Sequence, residues 1–400
     1  MAPAKQSKNL FNIPNLMLPM LLMLFLVEFV RAAVLMSYLP AYGVTKLGFS
    51  VSMVGVAVTA HYAADTLLKL VSGYLLDRFS FRWILPAGLA LGLLSLLSMQ
   101  LFSSSWWLVI ATTLYGVGLS PVWLVCVSYL QENQRGTQLG AIYTAWMGGM
   151  GGGLFLTNFM LDRNAPLAFW LLLGLAGAAL VLSLFLPKPT EHHALSAPLR
   201  DQLADLALRL KAMGPLLPGM ILQTLAAGML VPILPSFVTS LMGLTYSQYS
   251  LLLLFGGVCA VAGLIPMGRL SDHFGQRWFL VGGFAVFAVS LSCLSGSRSF
   301  VSGLLWAIVL GLSYSAVLPA WNALLASQVS QEQQGVSWAV FSSVEGIGVM
   351  FGPILGGWIG DLLSARATLI MSAIVMAAIA LFYGFYPLQH LFRGKSKTVS

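Results

Sequence analysis

The chain has 400 residues, of which 58% are hydrophobic and 8% are charged, and its mean hydropathy is +0.87. This composition excludes a water-soluble globular protein, because too few polar side chains remain to cover a folded surface. The formal net charge of +8 comes from basic residues spread over short predicted loops, which argues against a nucleic-acid partner. The sequence therefore indicates an integral membrane protein surrounded by membrane lipids.

The apolar stretches are about 20 residues long, the length at which an α-helix crosses the hydrocarbon core of a bilayer. An even number of spans places both termini on one side, and most loop lysines and arginines fall there, which the positive-inside rule identifies as the cytoplasm. We therefore expect a multi-pass protein of the cell membrane. The twelve predicted spans cover approximately residues 16–42, 52–76, 83–104, 106–131, 137–161, 166–187, 215–242, 247–270, 277–296, 299–329, 334–360 and 366–388.

A polar and charged segment over residues 188–213 separates six spans from six. We interpret it as a cytoplasmic linker whose second half forms a helix on the membrane surface. The predicted domains are an N-terminal six-helix bundle over residues 1–187, this linker, and a C-terminal six-helix bundle over residues 214–400. The predicted fold class is thus an all-α integral membrane protein, and we expect a monomer.

The first two spans carry ionisable side chains inside apolar sequence. Glu28 and Arg31 are one helical turn apart in the first span, and His61, Asp65 and Lys69 follow at steps of four in the second. Residues at these spacings share one face of a helix, and consecutive helices usually pack side by side. Because each charge in mid-bilayer costs about 2.5 to 3.5 kcal/mol on insertion scales, we predict that the two faces meet away from lipid.

Proton coupling requires a carboxylate that gains and loses a proton during a transport cycle, and both Asp65 and Glu28 are candidates for this role. The alternative for Asp65 is a static ion pair with a neighbouring cation. His61 titrates near neutrality when it is unperturbed, but a lone histidine is also a common hydrogen-bonded core residue. Glu345, in the eleventh predicted span, is either a further proton site or a hydrogen-bonded packing group.

The second half of the chain repeats features of the first. A loop pattern of glycine, aspartate and arginine returns 195 residues after its first copy, and a Pro-x-Trp sequence recurs at an offset of 198 residues. Such duplication indicates two bundles related by an axis along the membrane normal, with a binding site between them near the midplane. We expect the loop residues to latch helix ends in one conformation, with ordinary solvated loop charges as the alternative. These residues are Gly73, Asp77 and Arg82 in the first copy, and Gly268, Asp272 and Arg277 in the second.

The twelve spans, the central linker and the duplicated G-x-L-x-D-x-x-x-x-R loop resemble the major facilitator superfamily of transporters. The resemblance covers the whole chain and implies two six-helix bundles that expose a central site alternately to either side. The first copy of the loop departs from the family pattern at Ser80, where the second copy has Gly275. The turn after the second helix is therefore expected to be less tight.

A narrower resemblance is to the proton-coupled glycolipid flippases of lipoteichoic acid synthesis in Gram-positive bacteria. It implies that Glu28, Arg31, Asp65 and Trp123 line a polar pocket in the N-terminal half, opposite an apolar C-terminal half. Glu345 departs from the pattern, because that family has an amide at the corresponding place. The motifs that carry the resemblance include Glu28-Phe-x-Arg31, His61-Tyr-x-Ala-Asp65, Ser120-Pro-Val-Trp123, Val231-Pro-Ile-Leu-Pro235, Leu318-Pro-Ala-Trp321-Asn322 and Phe351-Gly-Pro353.

The two halves also differ in polarity without reference to any family. The C-terminal spans contribute only Glu345 and neutral groups such as Gln223, Tyr314 and Asn322. A cavity that is polar on one side and apolar on the other suits an amphiphile, with a sugar headgroup on the charged side and acyl chains on the other. We therefore predict a proton-coupled flippase for a lipid-linked sugar. The alternatives are a proton-coupled exporter of drugs or sugars, and a non-transporting scaffold or sensor.

Motifs for other kinds of chemistry are missing from the sequence. The nucleotide-binding pattern G-x-x-x-x-G-K-[ST] does not occur, and no His/Cys spacing typical of a metal site is present. We therefore expect no cofactor, no metal and no enzymatic activity, so that energy for transport comes from a gradient. We expect Trp146, Trp321 and Trp338 to serve in packing more than in ligand contacts.

Overall fold

The computed structural model describes residues 17–45, 47–78, 81–101, 104–129, 135–187, 214–327 and 334–386, and twelve helices run through them. The predicted all-α class and the twelve spans are confirmed, while the predicted linker, residues 188–213, lies outside the described residues. In the N-terminal half the helices are α1 (Leu18–Ala32, continued by the π-helical stretch Ala33–Gly43), α2 (Val51–Arg78), α3 (Phe81–Leu101), α4 (Ser105–Ser128) and the pair α5 and α6 within Arg135–Leu184. In the C-terminal half they are α7 (Leu217–Leu230, continued by Leu234–Ser236 and the π-helical stretch Phe237–Leu241), α8 (Tyr246–Phe274), α9 (Gln276–Ser295), α10 (Phe300–Ser327), α11 (Gln334–Leu362) and α12 (Ala365–Phe385).

Helices α5 and α6 meet at Asn164, whose backbone leaves the helical region at φ −159° and ψ 90°. Pro166 follows two residues later, in the first turn of α6, where a proline is tolerated because its missing N–H has no partner within the helix. The Asn164 side-chain oxygen accepts a hydrogen bond from the Leu167 N–H at 3.0 Å, so that it caps the first turn of α6. The chain therefore breaks between α5 and α6 at Asn164, inside the gap predicted between the spans 137–161 and 166–187.

The ends of α1 and α7 share a departure from regular α-helix. Both continue into π-helical backbone, and each has a proline close by, Pro40 within the first π-helical stretch and Pro235 just before the second. These prolines are 195 residues apart, at the offset of the sequence repeat. Since proline cannot donate a backbone hydrogen bond, it favours local rearrangement of the helical ladder.

The packing of helices within one half is repeated in the other. Helix α1 packs on α5 as α7 packs on α11, and α2 packs on α4 as α8 packs on α10. Glycines permit the closest of these approaches: a Cβ added at Gly149 or Gly153 of α5 would clash with the backbone of α1 at Phe25 or Phe29. The glycine-rich stretch over residues 148–153 therefore lets α5 lie directly against α1. The same contact places Glu28 near α5, because a Cβ added at Gly149 would lie 3.1 Å from the Glu28 Cβ.

The two bundles are joined at the end where α1 finishes and α2 begins, which we call the closed end. Asp361, at the end of α11, accepts hydrogen bonds from the backbone N–H groups of Val51 (3.2 Å) and Ser52 (2.8 Å) at the start of α2. Asp162, at the end of α5, accepts equivalent bonds from Tyr246 (2.9 Å) and Ser247 (2.6 Å) at the start of α8.

Each of these carboxylates lies at the N-terminus of a helix from the opposite bundle, where unpaired N–H groups and the helix dipole favour negative charge. Behind them, the Ile354 N–H donates to the Thr59 hydroxyl at 3.1 Å, and the Ser250 hydroxyl donates to the Phe155 carbonyl at 3.0 Å. The closed end is therefore held by a pair of carboxylate contacts that follows the internal repeat, with one further hydrogen bond behind each of them.

Candidate functional site

The charged residues of α1 and α2 form one cluster inside the N-terminal bundle. The Arg31 guanidinium contacts the Glu28 carboxylate at 2.6 Å and the Asp65 carboxylate at 3.8 Å, while the Lys69 ammonium contacts Asp65 at 3.0 Å. Glu28 and Asp65 are 6% and 4% exposed, so both acids are buried. The prediction that the two charged faces meet each other is confirmed.

The cluster contains two carboxylates and two cations, so their formal charges cancel. Charges withdrawn from water are tolerated only while each keeps its partner, and removing one partner of a buried pair typically costs about 3 to 5 kcal/mol. Asp65 is the link, because it contacts both Arg31 of α1 and Lys69 of its own helix. A change in the charge of Asp65 would therefore disturb the whole cluster. Lys69 retains 39% side-chain exposure and reaches toward the surface.

His61 lies one turn before Asp65 but packs against α4 instead of joining the ion pairs. The residue is fully buried, its Nδ1 lies 3.3 Å from the Thr112 carbonyl oxygen, and its ring lies 5.1 Å from that of Tyr115. Within the described part of the chain, its Nε2 has no hydrogen-bond partner. Gly116 makes the approach possible, since a Cβ there would clash with the His61 carbonyl.

Trp123 of α4 belongs to an aromatic group that it forms with two residues of α5. Its ring meets that of Tyr143 edge to face at 5.6 Å, and Tyr143 meets Trp146 in the same way at 6.4 Å. Trp123 is partly buried, and Tyr143 is 49% exposed. Partly exposed aromatic faces of this kind suit stacking against a sugar ring.

The C-terminal bundle contains a polar group that sequence reasoning did not assemble. Glu345 of α11 accepts hydrogen bonds on Oε1 from the Gln223 amide of α7 and the Trp321 indole of α10, both at 3.3 Å. The Thr224 hydroxyl donates to the Glu345 backbone carbonyl at 2.8 Å. The sequence identified Glu345 and Gln223 separately, and Trp321 as a packing residue. Their meeting depends on three helices that are distant in sequence.

The duplicated loop residues are only partly described. In the first copy the backbone of Gly73 and Asp77 belongs to α2, and Arg82 is an exposed residue in the first turn of α3. In the second copy Asp272 is exposed, and Arg277 donates hydrogen bonds to the carbonyl oxygens of Tyr383 and Gly384 at the end of α12. Arg277 thus ties α9 to α12 within its own bundle.

Two glycines of the second loop have different surroundings. Gly268 is partly buried, and a Cβ added there would meet Pro319 of α10 at an ordinary 3.5 Å. Gly275 has φ +99°, a backbone conformation that L-residues rarely adopt, and ends α8. The first copy has Ser80 in its place.

Asp162 and Asp361 are functional candidates that sequence reasoning missed. A signal was present, because an aspartate ends both the fifth and the eleventh helices, and the N–H groups that they bind are themselves separated by the repeat offset of 195 residues. The described residues contain no group of three or more His, Cys, Asp or Glu side chains that could hold a metal ion.

Two pseudo-symmetric six-helix bundles, a charged cluster buried in one of them and a closure at one end define a polytopic membrane transporter. The chain belongs to the Major Facilitator Superfamily, whose model matches residues 20–215 and 216–398.

Curated relatives and solved structures agree with this placement. The proton-coupled antiporter flippase LtaA of Staphylococcus saprophyticus is 31% identical over 385 residues, covering 95% of this chain and 96% of LtaA. LtaA of Staphylococcus aureus is 30% identical over 387 residues, covering 94% and 96%. The nucleoside transporter NupG and an inward-facing bacterial homologue of the lysosomal transporter Spinster each have TM-score 0.74 and 14% identity. They share the fold over 96% and 97% of this chain and over 100% and 98% of their own chains.

Proposed function

We propose that this chain is a proton-coupled flippase that moves a glycosylated diacylglycerol, the glycolipid anchor of lipoteichoic acid, across the plasma membrane by alternating access. The observation that carries the proposal is the buried cluster of Glu28, Arg31, Asp65 and Lys69. Charges of this kind inside a membrane bundle are costly and usually serve a substrate or proton pathway. The proposal is supported by the relatives named as proton-coupled flippases.

In the proposed mechanism the N-terminal bundle holds the sugar headgroup. The carboxylates of Glu28 and Asp65 accept hydrogen bonds from sugar hydroxyl groups, the guanidinium of Arg31 donates to sugar oxygens, and Trp123 stacks on a ring. The acyl chains lie along apolar side chains of the C-terminal bundle. Headgroup contacts to Arg31 compete with its ion pairs, so binding alters the surroundings of both acids.

Asp65 is the proposed proton-coupling group, with Glu28 as a second carboxylate in the same cluster. Protonation of Asp65 on a carboxylate oxygen removes its negative charge and weakens its pairing with Lys69 and Arg31. Arg31 is then paired with Glu28 alone, and the cluster gains one positive charge. We propose that this change alters the relative stability of the two access states. His61 and Glu345 are the other proton-coupling candidates from the sequence.

His61→Gln is expected to keep transport driven by a pH gradient close to the wild-type level. The side chain is fully buried against Thr112 and Tyr115, which favours its packing role, and a glutamine amide can still donate to the Thr112 carbonyl. The lost ring packing should lower the free energy of unfolding by about 1 to 3 kcal/mol. Gradient-driven flipping of the variant checks the first expectation, and thermal unfolding checks the lowered stability. If the variant lost its response to the pH gradient at normal stability, His61 would be the residue that carries the proton.

The remaining features of the proposal concern topology. The two bundles cover residues 1–187 and 214–400 and are joined by a cytoplasmic linker over 188–213, with both termini in the cytoplasm. The closed end then faces outside. Gly73, Asp77, Arg82, Gly268, Asp272 and Arg277 act as conformational latches on the cytoplasmic side. The protein works as a monomer, without enzymatic activity, cofactor or nucleic-acid partner.

The proposal is tested in proteoliposomes that carry a fluorescent diglucosyl diacylglycerol. Lipid that has crossed to the outer leaflet is bleached by a membrane-impermeant reductant, with and without an imposed pH gradient. We expect crossing faster than in protein-free liposomes, acceleration by the gradient, and loss of that acceleration with a protonophore. A labelled diacylglycerol without sugar is the matched control substrate. If instead a free sugar or a drug-like cation moves and the glycolipid does not, the exporter alternative is correct.

A further inference from the structure

The C-terminal bundle carries a carboxylate whose surroundings differ from those of the N-terminal acids. Asp65 and Glu28 have cations within 4 Å, whereas across the described residues no lysine, arginine or histidine lies within that distance of Glu345. Glu345 instead meets two neutral donors, Gln223 and Trp321, and both bind the same oxygen, Oε1. A carboxylate oxygen pair offers about four acceptor positions, so this arrangement leaves capacity for further donors.

The second oxygen, Oε2, accepts no hydrogen bond from the described residues, although Glu345 is only partly exposed. The carboxylate is held in place by its surroundings. Trp321 is 2% exposed and cannot turn away without disturbing the bundle core, and Thr224 binds the Glu345 backbone. Glu345 is therefore a hydrogen-bond acceptor held in a fixed position in an apolar bundle. Its Oε2 has no donor among the described residues.

Glu345 lies close in depth to the N-terminal charged cluster, across the contact between α2 and α11. Helices α2 and α11 pack against each other from the closed end as far as Thr66 and Gly346, where a Cβ added at Gly346 would lie 3.9 Å from the Thr66 methyl carbon. Asp65 and Glu345 are the residues directly adjacent to these two. The acid of each bundle therefore lies at the same depth, on either side of one helix contact.

Tyr314 extends this polar surface along α10. It precedes Trp321 by two helical turns, so both lie on one face of the helix. Tyr314 is 46% exposed. A neutral ligand with several hydroxyl groups could donate to Glu345 Oε2 and exchange hydrogen bonds with the Tyr314 hydroxyl. An anionic ligand would be repelled by the carboxylate.

We propose that Glu345, positioned by Gln223 and Trp321, is a second headgroup-binding site that accepts a hydroxyl group of the sugar, so that both bundles grip the polar part of the lipid. The C-terminal wall is then not purely apolar, in contrast to what the resemblance in the sequence implies. This inference rests on the proposed function, because it assumes a hydroxyl-bearing headgroup. It assigns Glu345 to substrate recognition in preference to proton transfer.

The test measures binding of diglucosyl diacylglycerol and of diacylglycerol without sugar to the purified full chain in detergent, and compares Glu345→Leu with the wild type. A hydrogen bond to a charged group is among the stronger ones, so Glu345→Leu should weaken binding of the glycosylated lipid about tenfold or more. Binding of the unglycosylated lipid should stay within about twofold, since it makes no such bond. Equal binding of the glycosylated lipid by the variant and the wild type would overturn the inference.

Glu345→Gln serves as a second variant that keeps the shape and an acceptor oxygen, so that folding is retained. We expect it to bind the glycosylated lipid only a few times more weakly than the wild type, and to keep its response to a pH gradient. Loss of that response with binding intact would make Glu345 a proton carrier and overturn its assignment to the sugar. If the wild type itself shows no preference for the glycosylated lipid, the proposed function fails together with this inference.

Discussion

Asp65→Asn is expected to reduce gradient-driven flipping by more than tenfold. The substitution preserves shape but removes both the negative charge and the titratable proton. Lys69 loses the partner that it contacts at 3.0 Å, and Arg31 is left with Glu28 alone. The cluster then carries a permanent extra positive charge. Because asparagine does not titrate, the protein can no longer take up and release a proton at this position in response to the gradient. The measurement is the rate of glycolipid crossing with and without an imposed pH gradient.

The matched control for this prediction is Asp205→Asn, the same chemical change in the predicted linker. It should retain the full gradient response. Glycolipid exchange without a gradient should also survive in Asp65→Asn, since Glu28, Arg31 and Trp123 still form the polar surface. A wild-type gradient response in Asp65→Asn would show that another group, with Glu28 as the first candidate, carries the proton.

Gly55→Leu is expected to prevent closure of the bundles at the closed end and to reduce flipping by about tenfold or more. Gly55 of α2 packs directly on α11, and even a Cβ at this position would clash with the Pro353 carbonyl oxygen. Backbone atoms of two packed helices cannot yield as a flexible side chain can, so the larger residue forces the bundles apart. An alternating-access transporter that cannot close one side cannot complete its cycle.

The conformation of this variant is measured with Thr59→Cys, placed behind the closure, where the wild-type hydroxyl accepts a hydrogen bond from Ile354. A membrane-impermeant maleimide applied from outside should label this cysteine several times faster when Gly55 is leucine. The same chain without Thr59→Cys is labelled in parallel, so that labelling of its three native cysteines can be subtracted. Thermal stability should stay close to that of the wild type, because the interior of each bundle is unchanged.

Gly174→Leu is the matched control, since a Cβ at this glycine of α6 has no neighbour within 4 Å among the described residues. Transport and labelling should resemble those of the wild type. If Gly55→Leu flips glycolipid at the normal rate, the α2–α11 contact is not required during the cycle.

The amino-acid sequence by itself determined the class of protein, the number of helices and the charged cluster of the first two spans. Apolar stretches of bilayer length can satisfy their backbone hydrogen bonds in lipid only as helices, so the spans follow from composition. The Glu28–Arg31 and Asp65–Lys69 pairs follow from spacing, because residues three or four apart are neighbours on any helix. The repeat offset of 195 residues likewise predicted two related bundles.

Only the tertiary structure decided which distant residues meet. Glu345 and Gln223 are separated by 122 positions, and Asp361 and Val51 by 310. His61 shares the spacing of Asp65 and Lys69, yet it turns to α4, because Gly116 lets that helix approach it. Helical periodicity specifies the face on which a side chain lies, but the neighbour of that face depends on how the helices dock. Docking is set by the summed packing of many apolar contacts, which no local pattern in the sequence records.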